Sequence, residues 1–436
     1  MMRNYKNWLG AVISLMSARI FAAGSAFLAN MLVARQLAPE GYGRFYLLFT
    51  IITLVAGLTG PALDTVLVRF ASIKIRSDND TSLPYFKAAL IGKLIILLFT
   101  LAAGAILARP LALYMLADMY SEYTTVAYLV LLAFTGGAVI SIWGYAQSYF
   151  QAHQNFRRYA GFEFMSAMVR LLLVVILLLL NTSNITPYLV VYIAAPMITA
   201  IVAWSYLPVQ LFREPVQKEV AYELISFGKW VFMASIFTTL TQRLDLVLLN
   251  LSVMNIEREV IGYYSGAVSL VLAAELLVLT TYHVLLPKAS SLQTASKLRL
   301  FLRRMLLPSL MGAFLILAAI PVMPLLTRLT LGNAYSATTP FLQVMMAGVA
   351  VALLAVPGVV TLYSLGYSRT IAVFETLRFL MTFGLGIAAI PVFGALGMAW
   401  VMTVSRALTA IGTWFAAYYV VSRENTSVLA NESVGP

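Results

Sequence analysis

Long apolar runs, broken at near-regular intervals by short polar segments, organise the whole chain. A membrane-spanning helix needs about 20 mostly apolar residues. That ruler predicts spans at 9–34, 44–70, 85–108, 125–150, 160–180, 188–207, 224–251, 260–286, 301–325, 339–363, 368–390 and 394–421. Turn-forming segments separate them: Ala38-Pro39-Glu40-Gly41, Ser77-Asp78-Asn79-Asp80, Asn181 to Pro187, and Leu331-Gly332-Asn333. No connection is long enough for an extramembrane domain. The expected fold class is an all-α integral membrane protein with about 12 transmembrane helices.

A weak internal repeat divides the chain. Residues 34–45 read ARQLAPEGYGRF and residues 258–266 read REVIGYYSG. Each puts a Gly-Tyr pair, Gly41-Tyr42 or Gly262-Tyr263, at the start of the second span of a half, 221 positions apart (262 − 41). The expected organisation is an N-terminal six-helix bundle over 1–210, a cytoplasmic linker over 211–223, a C-terminal bundle over 224–423 and a polar cytoplasmic tail over 424–436. Parallel repeats of this kind set a path between two bundles.

Composition narrows the class. Hydrophobic residues are 61% and charged residues 11%, against roughly 45–50% and 25% in soluble domains. Cysteine is absent, so disulfides, thiolate nucleophiles and sulfur metal sites are excluded. The two histidines, His153 and His283, are too far apart in sequence to suggest a metal centre. No phosphate-binding GxxxxGK[ST] loop and no catalytic triad pattern is present, and neither a catalytic residue nor a cofactor is expected. The net charge of +12 reads as basic cytoplasmic loops, not as a nucleic-acid surface.

The loop charges give an orientation. With an even number of spans and cytoplasmic ends, the inner set is Arg3, Lys6, Arg69, Lys74, Arg76, Arg157, Arg158, Arg213, Lys218, Lys288, Lys297, Arg299, Arg303, Arg304, Arg369 and Arg423. The outer set is Arg35, Arg44, Arg109, Arg258 and Arg328. Sixteen against five places both termini in the cytoplasm.

Ionisable residues inside the spans carry the candidate chemistry. The cations are Arg19, Lys93, Arg170, Lys229, Arg243, Arg378 and Arg406; the anions are Asp64, Glu163, Asp245, Glu275 and Glu375. Each costs about 2.5–3.5 kcal/mol at mid-membrane, so they are expected to face a cavity or one another. Lys93, Glu163 and Lys229 lie near the cytoplasmic ends of their spans, where long side chains snorkel to the interface. Glu375 and Arg378, three apart, can neutralise each other. Arg243 and Asp245, two apart, are expected to point in different directions. The surplus of cations implies a water-filled basic cavity with an anionic cargo. Its candidate binding groups are Arg19, Arg170, Arg243, Arg378 and Arg406, and its candidate proton- or sodium-coupling groups are Asp64, Asp245 and Glu275.

The stretch LVARQLAPEGYGRFYLLFTIITLVAGLTGPALDTVLVRFA resembles the opening of Wzx-type polysaccharide (O-antigen) flippases. These form a branch of the multidrug/oligosaccharidyl-lipid/polysaccharide (MOP) exporter superfamily. The residues that carry the likeness are Ala34, Arg35, Leu37, Pro39, Tyr42, Gly43 and Phe45, then Arg69-Phe70. Ala38 departs from the pattern, where the family often has Gly. In the second half Asp245, Gly262, Tyr263, Ala267 and Pro287 match in the same way. The resemblance implies two six-helix bundles in a MATE-like V. It implies flipping of an undecaprenyl-diphosphate-linked oligosaccharide across the bacterial inner membrane for lipopolysaccharide or other surface-polysaccharide biosynthesis. The implied partners are that lipid-linked oligosaccharide, membrane lipid, and a polysaccharide polymerase and chain-length regulator. Rival expectations are a cation-coupled drug exporter of the same superfamily, a lipid II flippase with two further C-terminal helices, and a membrane-embedded glycan polymerase or ligase with a large periplasmic loop.

Overall fold

The computed structural model describes the backbone of residues 2–75, 82–116, 123–251, 254–290, 292 and 295–432. Side chains are described in those ranges except at 2–20, 114–116, 123–125, 227, 230, 234, 283, 287, 290, 295, 368 and 424–432. Arg3, Lys6, Arg19, Arg76, the Ser77 to Asp80 connector, His283 and Pro287, all singled out above, lie outside the described side chains.

Among the described residues ten helices are long and apolar enough to cross a membrane, and two of them, Phe21–Ile75 and Arg369–Arg423, run for 55 residues. At 1.5 Å per residue that is about 80 Å, more than twice a hydrocarbon core of about 30 Å. Each is two spans joined at a sharp break. Helix α1 (Met2–Thr59) breaks at Ala38 (φ 55°, ψ 172°), immediately before Pro39. Proline disfavours the helical conformation in the residue before it. Helix α13 (Ser368–Glu432) breaks at Gly394, with φ 61° and ψ −150°. Counting both breaks, the ten helices give the twelve expected spans.

The other helices follow the apolar runs: α2 (Pro61–Ile75), α3 (Leu83–Leu116), α4 (Tyr123–Ala152), α5 (Phe156–Leu179), α6 (Ile185–Trp204), α7 (Gln210–Arg213), α8 (Lys218–Leu249), α9 (Arg258–Ser290), α10 (Ala295–Ala318), α11 (Met323–Thr330) and α12 (Thr339–Ser364). Gly60-Pro61 separates α1 from α2, within the single span expected at 44–70. The span expected at 301–325 is likewise divided, by a 3-10 turn at Ile320–Val322 around Pro321. Pro308 sits inside α10 without ending it.

The helices form two compact units, Met1–Thr239 with Asn250–Gly262, and Leu240–Leu249 with Tyr263–Pro436. In unit 1, α1 packs on α4, α5 and α6, and α2 packs on α3 and α4. The segment expected to be a polar linker is docked here. Leu207, Leu211, Val220 and Leu224 are buried with Val66, Leu67 and Phe86. Tyr85 Oη donates to Glu223 Oε2 at 2.7 Å, and Lys87 Nζ donates to the Phe212 carbonyl at 2.8 Å.

The repeated glycine motifs meet in the same unit. A Cβ on Gly262 would sit 1.8 Å from the Pro39 carbonyl oxygen, and one on Gly43 would sit 2.9 Å from the Gly262 nitrogen. Only residues without a side chain allow the corner after Ala38 to close on the start of α9. In unit 2, α12 packs on α10 and α13. Large apolar side chains remain exposed around both units, among them Leu98, Phe99, Leu179, Phe314 and Phe415, as surfaces solvated by lipid require.

Candidate functional site

In unit 2 the end of α8, the first half of α9, and α12 and α13 enclose a cavity of about 110 Å³. Arg243, Asp245, Tyr264, Glu275, Gly348, Thr403 and Arg406 all line it. Asp245 is 4% exposed. Its carboxylate accepts from Tyr264 Oη at 2.9 Å and from the Leu246 backbone nitrogen at 2.8 Å. Arg406 donates through an Nη to Glu275 Oε1 at 2.7 Å. Gly348 lets Thr403 approach closely, since a Cβ there would lie 3.0 Å from Thr403 Oγ1. Four of the sequence-predicted residues, Arg243, Asp245, Glu275 and Arg406, therefore meet in one place. Arg243 and Asp245, expected to point apart, share the cavity wall.

Arg378 stands nearby on the first limb of α13, 3.4 Å from Glu375, as the three-residue spacing anticipates. It also interacts electrostatically with Arg406 and Glu275. Two cations and two carboxylates line the cavity itself, so its wall is balanced rather than basic.

Unit 1 holds a second, larger cavity of about 550 Å³, lined by Asp64 with Trp143, Gln147, Ser148, Gln151 and Tyr159. Asp64 is paired: Lys93 Nζ lies 2.6 Å from its Oδ1 and donates also to the Ser141 carbonyl at 2.8 Å. The Lys93 ammonium faces the Tyr145 ring at 5.9 Å. Lys93 is 1% exposed, which corrects the expectation that it snorkels to the interface. A carboxylate one helix away offers its ammonium a stronger partner than the headgroup region does. Gly144 leaves space for the Asp64 carboxylate, whose Oδ2 would lie 3.1 Å from a Cβ at that position. Glu163, also expected at the interface, accepts from Gln147 Nε2 at 2.9 Å.

Arg170 lies apart from both cavities. Its guanidinium stacks 5.1 Å from the Tyr192 ring, and Tyr192 donates to Asn30 Oδ1. Its Nε is buried without a hydrogen-bond partner among the described residues. Arg19 lies in α1 with its side chain outside the described set. Tyr264 is not among the sequence-predicted residues, and Lys93, expected at the interface, stands against Asp64 instead. For Tyr264 the available signal was its place beside the Gly262-Tyr263 motif.

The sequence profile of the family described as polysaccharide biosynthesis protein matches residues 9–293. The chain belongs to this family. No curated protein sequence matches it. Among solved structures it is similar to the lipid II flippase MurJ in an inward closed conformation, with a TM-score of 0.75 and 12% identity over 93% of this chain and 87% of that one. It is similar also to an inward-facing multidrug resistance MATE family transporter of the MOP superfamily, with a TM-score of 0.77 and 12% identity over 95% and 99% of the two chains. A third likeness is to a MOP superfamily transporter from Pyrococcus furiosus in which reversed polarity of the binding pocket suggests a different function (TM-score 0.65, 14% identity, 95% and 96%). The family match agrees with the expected resemblance, and the likeness to solved structures bears out the all-α transmembrane fold. The family match takes in Asp64, Lys93, Arg170, Arg243, Asp245 and Glu275 and ends before Arg378 and Arg406.

Proposed function

We propose that this member of the family is a flippase. Its cargo is an undecaprenyl-diphosphate-linked oligosaccharide, moved across the bacterial inner membrane for O-antigen, capsule or exopolysaccharide assembly. The observation that carries the reading is the cavity in unit 2 where Arg406, held by Glu275, lies beside Arg243. Guanidinium stays charged at any working pH and grips phosphate through parallel hydrogen bonds. Glu275 occupies Arg406 when cargo is absent. A phosphate oxygen replaces that carboxylate, and a proton or sodium ion taken up by Glu275 compensates the exchange. Asp245 and Asp64 are the other candidate coupling groups, and Arg19, Arg170 and Arg378 the other candidate cargo-binding cations.

The cargo crosses without bond making or breaking, so no catalytic residue or cofactor has a part. Both termini lie in the cytoplasm, and bundles 1–210 and 224–423 alternate access. A polymerase and a chain-length regulator receive the product on the outer side. Cysteine scanning tests the topology directly in a chain without native cysteine; periplasmic labelling beside Arg157 or Arg303 overturns it.

The deciding test of function is a gene deletion complemented by the wild-type chain or by Arg406→Gln at equal membrane level. Wild type is expected to restore surface polysaccharide, and Arg406→Gln to leave lipid-linked repeat units inside. One observation favours a second reading, cation export: Asp64 lines the larger cavity of unit 1. Unchanged polysaccharide with altered sensitivity to cationic drugs selects it.

A further inference from the structure

A cluster of charge that the translocation cavity does not use sits at one end of unit 2. From Lys288 to Arg304 the sequence carries Lys288, Lys297, Arg299, Arg303 and Arg304 and no acidic residue. Lys297, Arg303 and Arg304 are exposed at the start of α10. Arg299 reaches across to α13, where an Nη donates to Tyr418 Oη at 2.7 Å and the guanidinium lies 5.2 Å from the Tyr418 ring. Arg303 also acts electrostatically on the same hydroxyl. Arg423 is exposed one turn further along α13.

What these cations adjoin is apolar. On α13 the exposed side chains Val404, Leu408, Ile411 and Phe415 form a stripe at helical spacing, ending at Tyr418 and Tyr419. On α10 the exposed Leu307, Leu310, Met311 and Phe314 continue the same kind of face. Phe415 is 73% exposed, which only acyl chains make tolerable. Tyrosines at the end of such a stripe mark headgroup depth. The arginines are therefore held at the level of lipid phosphates, directly above a surface shaped for lipid tails.

We infer that the α10–α13 notch, formed by Arg299, Arg303, Arg304 and Tyr418, is a binding site for an anionic phospholipid. A solvated basic loop would not need its arginine fixed by a tyrosine on another helix. An acidic protein partner would not explain the lipid-facing stripe beneath it. Arg supplies the forked donors that phosphate accepts, and Tyr418 holds Arg299 so that part of the fork is oriented in advance. The site is expected on the cytoplasmic leaflet, where basic residues next to a spanning helix attract anionic lipid.

The test compares purified wild type with Arg303→Gln/Arg304→Gln and with Arg299→Gln/Arg303→Gln/Arg304→Gln in phosphatidylcholine nanodiscs with and without cardiolipin. Lipid retention is read by native mass spectrometry, and melting is read alongside. Wild type is expected to retain cardiolipin and to melt higher in its presence. The triple variant should bind it at least about tenfold more weakly, given roughly 1 kcal/mol per cation near an anionic surface. The double variant should fall between, with melting in phosphatidylcholine alone unchanged for both. The double variant, whose side chains are exposed, guards against a folding defect in the triple. Equal cardiolipin retention by all three proteins overturns the proposal. So does a variant that keeps cardiolipin but loses lipid-linked oligosaccharide or an acidic protein partner, which would assign the notch to that other ligand.

Discussion

In each unit a short ion pair stands beside a cavity, and the two pairs differ in how far they are sealed. Lys93–Asp64 in unit 1 is 2.6 Å and Arg406–Glu275 in unit 2 is 2.7 Å. The side chains of the first pair are 1% and 16% exposed, those of the second 21% and 33%. Lys93 has a second acceptor in the Ser141 carbonyl and an aromatic wall in Tyr145, whose hydroxyl is itself bonded to the Phe86 carbonyl at 2.8 Å. Arg406 has up to five N–H groups, of which one hydrogen bond, to Glu275, forms among the described residues. Similar distances thus hide unequal surroundings. The sealed pair ties α2 to α3, whereas under the proposed function the open pair is the one that exchanges its carboxylate for cargo.

The largest effect should come from breaking the sealed pair on one side. Lys93→Met leaves Asp64 charged and uncompensated, which costs about 3–5 kcal/mol. It should lower the unfolding midpoint in detergent sharply. Replacing both partners, Lys93→Met with Asp64→Leu, removes the uncompensated charge and should recover most of the loss. If the double variant melts no higher than Lys93→Met, the pair is not a closed structural unit and the contrast with unit 2 collapses.

The open pair should respond in transport rather than in stability. Arg406→Gln is expected to reduce flipping of lipid-linked oligosaccharide by roughly tenfold or more, the scale of one lost charge-assisted bond. Arg406→Lys should fall between, because an ammonium lacks the fork. Melting should move less than for Lys93→Met, since the Arg406–Glu275 pair is the more exposed of the two and exposed pairs contribute about 1 kcal/mol or less. A smaller effect is expected of Glu275→Gln. The amide still accepts from Arg406 but takes up neither proton nor sodium, so flipping should persist and lose its dependence on the ion gradient. Gradient dependence that survives in Glu275→Gln, Asp245→Asn and Asp64→Asn alike rules these carboxylates out as the coupling groups.

Much of this arrangement is legible in the sequence, and the illegible part has a common cause. Twelve spans follow from hydropathy, and the breaks at Ala38-Pro39 and Gly60-Pro61 follow from what proline does to its neighbour. The 375/378 pair follows from helical spacing. Lys93 did not, because counting residues gives depth along a span but not the direction of a long side chain. Its partner, Asp64, is 29 positions earlier on another helix. The gathering of Asp245, Glu275 and Arg406 has the same character, since their contacts depend on how α8, α9 and α13 pack. The docked segment after α6 was masked by its charges, Arg213, Glu214, Lys218 and Glu219, which hide the spacing of Leu207, Leu211, Val220 and Leu224.

The smallest expected effect also lies in unit 1 and bears on its rigidity. Ala38 holds φ 55° and ψ 172°, a region that side-chain-bearing residues rarely enter and that costs on the order of 1–3 kcal/mol. It is also the position at which this chain departs from the glycine of the family it resembles. The conformation is held because the following carbonyl, that of Pro39, packs against Gly262. Ala38 is exposed, so Ala38→Gly removes no buried contact. Glycine enlarges the unfolded ensemble, a penalty of roughly 0.5–1 kcal/mol. Relief of strain exceeds that penalty by about 1 kcal/mol, so Ala38→Gly should raise the unfolding midpoint slightly and leave the response of Lys93→Met unchanged. A midpoint that falls would mean that the strain at this corner is smaller than the entropic cost of glycine.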